Sequence, residues 1–314
     1  MGRKKIGLIG AGNIGGELAN LLVSKELGDV VLYDIAPKEA YAKGKALDLE
    51  QATAQSGSDV RVTGTSNWED VAGADVLIVT AGIPRKPGQS RDDIVMTNLP
   101  IIRDVADHAK KYCPNAFSII ISNPLDAMVY EYKRRTGAGR EKVVGMAGVL
   151  DSSRLALFLA RELNASIKDL KAMVLGGHGD DMVPVLSYTT VNGVPIRQLL
   201  PAEKLASIVE RTRGGGGEIL KLMGTSAYYA PAISAVVMAE AYLHDQKRLL
   251  PCAAYLDGEY GFKDIYMGVP VVVGQGGVEK IVSIELSPDE RSMLEKSAAS
   301  VHKVIDIVKA QAQG

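Results

Sequence analysis

With 314 residues, the chain is longer than one ordinary hydrophobic core holds, and two domains are expected. Its 46% hydrophobic and 23% charged residues are typical of a globular protein, and a formal net charge of −1 gives no electrostatic reason to bind nucleic acid or an anionic membrane.

Cys113 and Cys252 stand in no paired motif, so neither a disulfide framework nor a zinc site is suggested. His108, His178, His244 and His302 are dispersed, and no metal is expected. No run reaches the roughly eighteen apolar residues of a membrane span. The first residues lead straight into a strand-like run, which predicts no signal or transit peptide and a reduced cytoplasm as the setting.

Ile6-Gly7-Leu8-Ile9 reads as a buried strand that ends in Gly10-Ala11-Gly12-Asn13-Ile14-Gly15. A helix pattern follows through Leu18, Ala19, Leu21 and Leu22, then a second strand, Val30–Tyr33, that closes on Asp34. Strand, G-x-G-x-x-G, helix, strand and acid in this register form a dinucleotide fingerprint. Gly10 allows the tight turn, Gly12 lets a pyrophosphate approach the backbone, and Gly15 lets helix and strand pack closely. The N–H groups of Asn13, Ile14 and the rest of the first turn face the phosphates. Asp34 would accept hydrogen bonds from the ribose hydroxyls and repel a 2′-phosphate, so NAD is the expected cofactor.

Further strands are expected at Val60–Thr63, at Asp75–Thr80 (entering Ala81-Gly82), at Phe117–Ile121 (entering Ser122-Asn123-Pro124) and at Val143–Met146. Near-continuous apolar strands separated by helices predict a doubly wound parallel sheet of the Rossmann type, covered on both faces, with ligands at the carboxyl ends of its strands. Between the fourth strand and the next helix, Ile83–Arg91 carries two prolines, a glycine and three cations. It reads as an exposed loop placed to close over the nicotinamide end and bring Arg85 and Arg91 to an anion.

The second half opens with a helix that carries Asp151 and Arg154 on one face, three residues apart, within apolar surroundings where each charge needs a partner. His178 follows the apolar run Ala172–Leu175 and is framed by Gly177 and Gly179. Histidine is the side chain that both gives and takes a proton near neutrality. Asn192-Gly193 marks a hairpin between Leu186–Val191 and Val194–Ile196. Gly214–Gly217 predicts a break or kink in a helix, or a flexible linker. Ala253–Leu256, Asp264–Val273 and Ile281–Ile284 read as an antiparallel meander. Ser287-Pro288-Asp289-Glu290 caps a final helix whose apolar stripe runs from Leu294 to Val308. The expected division is a Rossmann domain over residues 1–146 and an α+β substrate domain over 147–314.

Taken together, Gly10-Ala11-Gly12, Asp34, Thr80-Ala81-Gly82, Ser122-Asn123-Pro124-Leu125-Asp126, Leu150-Asp151-Ser152-Ser153-Arg154 and Gly177-His178-Gly179-Asp180 resemble, in order and spacing, the NAD-dependent lactate/malate dehydrogenase family along the whole chain. The resemblance implies that His178 carries the proton, that Asp151 orients it and that Arg154 forks onto the substrate's C1 carboxylate. It implies that Arg91 polarises the carbonyl and Arg85 reads the substrate side chain. Asn123 would contact the reacting carbonyl and the nicotinamide, with a cis bond to Pro124. Cofactor contacts are implied at Gly10, Gly12, Asn13, Ile14, Gly15, Asp34, Thr80, Ala81, Gly82, Asn98, Ser122 and Asn123.

Lactate-type members resemble this chain but carry glutamine where Arg85 stands, and malate-type members carry arginine. A diacid brings two carboxylates, and Arg154 and Arg85 supply one planar cation for each. The expected reaction is therefore reversible oxidation of (S)-malate to oxaloacetate. L-lactate or a broader set of 2-hydroxy acids is the alternative, and a non-catalytic NAD sensor is a rival from another class. Small-molecule substrates, no nucleic acid, no membrane and a homotetramer, with a dimer as the second choice, complete the expectation.

Overall fold

A computed structural model describes residues 2–84 and 91–311, apart from the side chains of Arg91 and Asp92. Arg85 and the rest of the expected loop through Ser90 lie outside the described residues, as does the Arg91 side chain.

The first half alternates strand and helix. Its strands are β1 (Lys5–Ile9), β2 (Asp29–Tyr33), β3 (Val62–Thr65), β4 (Val76–Val79), β5 (Phe117–Ile120) and β6 (Val143–Gly145). Its helices are α1 (Asn13–Ser24), α2 (Glu39–Ser56), the short α3 (Trp68–Val71), α4 (Arg91–Tyr112) and α5 (Leu125–Thr136). The strands pair in parallel in the order β3-β2-β1-β4-β5-β6. Every residue of β4 and β5 is buried, as expected of strands covered on both faces. The order reverses beside β1, so the carboxyl ends of β1 and β4 flank a crevice.

The second half supplies helices α6 (Gly148–Leu163), α7 (Ile196–Leu199), α8 (Ala202–Met223), α9 (Tyr229–Leu243) and α10 (Pro288–Ala310). Its strands are β7 (Leu170–Lys171), β8 (Val174–Leu175), β9 (Val183–Pro184), β10 (Thr190–Val191), β11 (Val194–Pro195), β12 (Arg248–Asp257), β13 (Lys263–Gly274) and β14 (Gly277–Ile281). β12 pairs antiparallel with β6 through Ala253 and Gly145, and β13 and β14 continue outward from it. Both halves thus build one sheet, of nine strands among the described residues. One core cluster runs from Ile6 to Val308, and a smaller one gathers Leu155, Leu159, Met182, Ile196 and Leu205.

Three local expectations change. The glycine run 214–217 neither breaks nor kinks into a separate segment, because α8 is continuous from Ala202 to Met223. Its glycines serve packing: a Cβ on Gly215 would lie 3.2 Å from Arg154 Cδ. The third meander strand begins at Gly277, earlier than expected, because the chain reverses directly after Gly274, and Gly277 takes a φ of +97° that favours glycine. Only Thr190–Val191 of the expected strand Leu186–Val191 is extended, with Leu186–Tyr188 in a 3₁₀ turn. The Asn192-Gly193 turn itself holds, with φ of +46° and +88° as a tight hairpin requires. The capping box at Ser287 and Glu290 also forms.

Close helix-to-strand contact is set by Gly64 in β3, where an added Cβ would strike the backbone of Ala42 and Lys43 in α2. Gly64→Ala should therefore cost about 1–3 kcal/mol by overpacking, read as a lower midpoint in denaturant unfolding. An unchanged midpoint would show that α2 can slide on the sheet.

Candidate active site

A cleft of about 820 Å³ opens at the carboxyl ends of the parallel strands and reaches across to the second half of the chain. Gly10, Gly12, Asn13, Ile14, Asp34, Thr80, Ala81, Gly82, Asn98, Ser122, Asn123 and His178 all line it. Gly15, Asp151 and Arg154 are not among its lining residues.

At one end lies the β1–α1 turn. Gly10 has a φ of +117°, and a Cβ there would sit 2.5 Å from Thr80 Oγ1. A Cβ on Gly15 would collide with the Gly10 carbonyl, so this glycine serves close packing. Gly12 is different: nothing lies within 4 Å of where its Cβ would be, so its backbone is open to a ligand. α1 has no side-chain cap, which leaves first-turn N–H groups and the positive end of the helix for an anion. The Asp34 carboxylate is held by the Ala11 N–H and the Ile35 N–H, both at 2.9 Å. A glycine-opened backbone, an uncapped helix start and a fixed acid suit a dinucleotide's pyrophosphate and adenosine ribose.

The middle of the cleft is knitted by polar side chains. Thr80 Oγ1 donates to the Ile9 and Gly10 carbonyls at 3.2 Å, and Ser122 Oγ donates to the Ala81 carbonyl at 2.6 Å. Asn98, on α4, accepts from the Ile83 N–H at 2.7 Å and donates to the carbonyls of Ile83 and Asn123, at 3.1 and 2.7 Å. Its amide thus ties the exit of β4 to the exit of β5, where the Asn123–Pro124 peptide is cis.

At the far end stands His178. Its Nδ1 donates to Asp151 Oδ2 at 2.8 Å, and Arg154 Nη1 donates to Asp151 Oδ1 at 3.0 Å. The Asp151 side chain is 2% exposed, so one buried carboxylate holds both the arginine of α6 and the imidazole of the histidine loop. Arg154 Nε is buried without a hydrogen-bond partner among the described residues. Burial lowers the His178 pKa, but the attraction and hydrogen bond of Asp151 outweigh it, and the imidazole is held above its ordinary value.

The loop backbone carrying His178 is fixed from three more directions. Gly176 exchanges two hydrogen bonds with Gly268 of β13, at 2.9 and 2.8 Å. Ser297 Oγ on α10 accepts from the Gly177 N–H, and Asp126 Oδ2 on α5 accepts from the His178 N–H, each at 2.9 Å. Gly176 has a φ of +86°, and a Cβ on it would press on Ser297 Oγ at 2.7 Å.

The model of the lactate/malate dehydrogenase NAD binding domain matches residues 4–145, and that of the lactate/malate dehydrogenase alpha/beta C-terminal domain matches residues 148–312. The chain belongs to the lactate/malate dehydrogenase family. It is 70% identical over 308 residues to a malate dehydrogenase of Sorangium cellulosum, covering 98% of each chain. To that of Myxococcus xanthus it is 55% identical over 309 residues, again covering 98% of each. Among solved structures, Cryptosporidium parvum malate dehydrogenase superposes with a TM-score of 0.95 at 45% identity, covering 98% of this chain and 99% of that one. A lactate dehydrogenase of the same organism, complexed with lactic acid and nicotinamide adenine dinucleotide, gives 0.95 at 43%, with the same coverage.

Within this family frame, Asp126, Ser297 and Gly268 are site residues that sequence reasoning left unassigned. Asp126 stands in a quoted motif, but the sequence assigns it no role. Ser297 is 120 positions from Gly177, and nothing local marks it.

Because His178 is held above the ordinary histidine value of 6.5, its ring should titrate above that value in NMR spectra of the free protein, and Asp151→Asn should bring it down. The pair's contribution to stability should be complete below the unfolded value and vanish as pH rises through the folded one. An identical His178 titration in Asp151→Asn would refute the assignment.

Proposed function

We propose that this chain catalyses the reversible NAD-dependent oxidation of (S)-malate to oxaloacetate. The observation that carries the chemistry is the His178–Asp151 pair, set in the same cleft as the dinucleotide turn. The observation that favours malate is Arg85, together with 70% identity to a malate dehydrogenase across nearly the whole chain.

Bound NAD supplies a hydride acceptor at its nicotinamide. The chain's residues do the rest. Neutral His178 takes the hydroxyl proton at Nε2 while Asp151 stabilises the imidazolium that forms. In the reverse direction the imidazolium gives that proton to the carbonyl oxygen, and Arg91 offsets charge developing there. Arg154 grips one substrate carboxylate and Arg85 the other, and Asn123 fixes the reacting carbonyl. Pyruvate, with a methyl in place of the second carboxylate, would leave Arg85 unpaired. Catalysis is assigned to His178, Asp151 and Arg91, and substrate binding to Arg85, Arg91, Asn123 and Arg154. The cofactor would be held by the turn Gly10–Gly15, Asp34, Thr80–Gly82, Asn98, Ser122 and Asn123. The reading divides the chain at residues 146 and 147.

The same reading places the enzyme in the tricarboxylic acid cycle and in the cytoplasm. Burial pushes both cysteine thiols up in pKa, which suits a protein that needs no disulfide. No helix among the described residues is long and apolar enough to cross a membrane, and no cluster of metal-binding side chains occurs among them. We assign a homotetramer, with a dimer as the alternative, whose interfaces would cover exposed Leu47, Leu222 and Tyr229.

His178→Asn should lower turnover by about 10²–10⁴-fold while NADH still binds, as loss of an acid–base group does. Near-normal turnover would remove His178 from the chemistry. Arg85→Gln should weaken kcat/KM for oxaloacetate by roughly a hundredfold and raise pyruvate's share. If the wild type prefers pyruvate, the protein is a lactate dehydrogenase instead.

A further inference from the structure

Lys45, on α2, is the side chain whose ammonium reaches the dinucleotide turn from behind. Its Nζ donates to the Ala11 carbonyl at 3.0 Å and to the Gly12 carbonyl at 2.8 Å. The side chain lies across the first turn of α1 in space left by Gly16, where a Cβ would stand 2.8 Å from Nζ. The exposed Tyr41 ring lies below it, with the ammonium 4.7 Å from the ring centre.

Peptide planarity turns these two bonds into a statement about the opposite side of the turn. In a trans peptide the C=O of one residue and the N–H of the next point opposite ways. Holding the Ala11 carbonyl aims the Gly12 N–H, and holding the Gly12 carbonyl aims the Asn13 N–H. Gly12 has no Cβ to resist rotation of either peptide. Its carbonyl also accepts from the Gly16 N–H at 3.0 Å, so it is the Ala11 carbonyl, and with it the Gly12 N–H, that depends on Lys45. Ala11 is secured at both ends, since its N–H donates to Asp34.

Charge makes the clamp matter more. The residues that line the cleft include Asp34, Asp104, Asp126, Asp180 and Asp181 against a single lysine, Lys38, among the described residues. A dianionic pyrophosphate entering such a cleft needs fixed positive charge close to its own site.

We propose that Lys45 is a cofactor-positioning residue, which locks the Gly12 N–H toward the pyrophosphate, supports the already helix-bound peptide that aims the Asn13 N–H, and adds a full positive charge behind them. This rests on the dinucleotide reading of the cleft. The test compares wild type, Lys45→Met and Lys45→Arg by calorimetric titration with ADP-ribose, which carries the pyrophosphate, and with adenosine, which does not. Thermal melting runs in parallel to show that each variant is folded. Loss of two charge-assisted hydrogen bonds should weaken ADP-ribose binding by about ten- to a hundredfold in Lys45→Met. Adenosine binding should change less than twofold, KM for NADH should rise in step with the ADP-ribose constant, and Lys45→Arg should recover part of the loss. Equal ADP-ribose binding by wild type and Lys45→Met, or equal weakening of both ligands, overturns the inference alone. A wild type that binds neither ADP-ribose nor NADH overturns the dinucleotide reading with it.

Discussion

A carboxylate almost wholly removed from water must be paired, and the Asp151 carboxylate divides its two oxygens between His178 and Arg154. That division has a structural price on both sides. Arg154 needs the glycine face of α8 to lie against, and His178 needs its loop held at one height above α6. Gly268, Ser297 and Asp126 provide that height from β13, α10 and α5. The position of the His178 imidazole therefore depends on elements from both halves of the chain. Moving any one of them shifts the imidazole relative to the cleft.

The shared sheet gives this arrangement its rigidity. β6 and β12 pair through Ala253 and Gly145, so the parallel strands that carry the dinucleotide turn continue into the strands that carry the Gly268 contact. Asn98 adds a second tie by linking Ile83 to Asn123 at the strand exits. Hydride transfer requires two reacting carbons to be held in line, and this framework lets one sheet position both ends of the cleft.

Substrate choice is a separate matter from fold. A malate dehydrogenase and a lactate dehydrogenase of one organism superpose on this chain equally well, each at a TM-score of 0.95. Backbone geometry therefore does not separate a diacid from a monoacid. On the proposed reading the discrimination falls to Arg85, since an unpaired buried guanidinium costs several kcal/mol (on the order of 2–5).

The amino-acid sequence alone determined the alternating strands and helices, the glycine turn after β1 with its acid, and the meeting of Asp151 with His178 and Arg154. These rest on short-range rules: apolar runs of strand length, glycines where a Cβ would collide, and caps a few residues apart. The glycines at 214–217 misled because a glycine run has two meanings. One is a free backbone and the other a flat surface, and only the Arg154 side chain laid across α8 selects the second. The partnership of Gly177 with Ser297, the grip of Asp126 on the His178 backbone, the seat of Lys45 behind Gly12 and the joining of two halves into one sheet were decided by tertiary structure. Each is a contact between groups distant in the chain, made by residues with no local feature to announce it, and only the packing of helices onto a common sheet brings them within hydrogen-bonding distance.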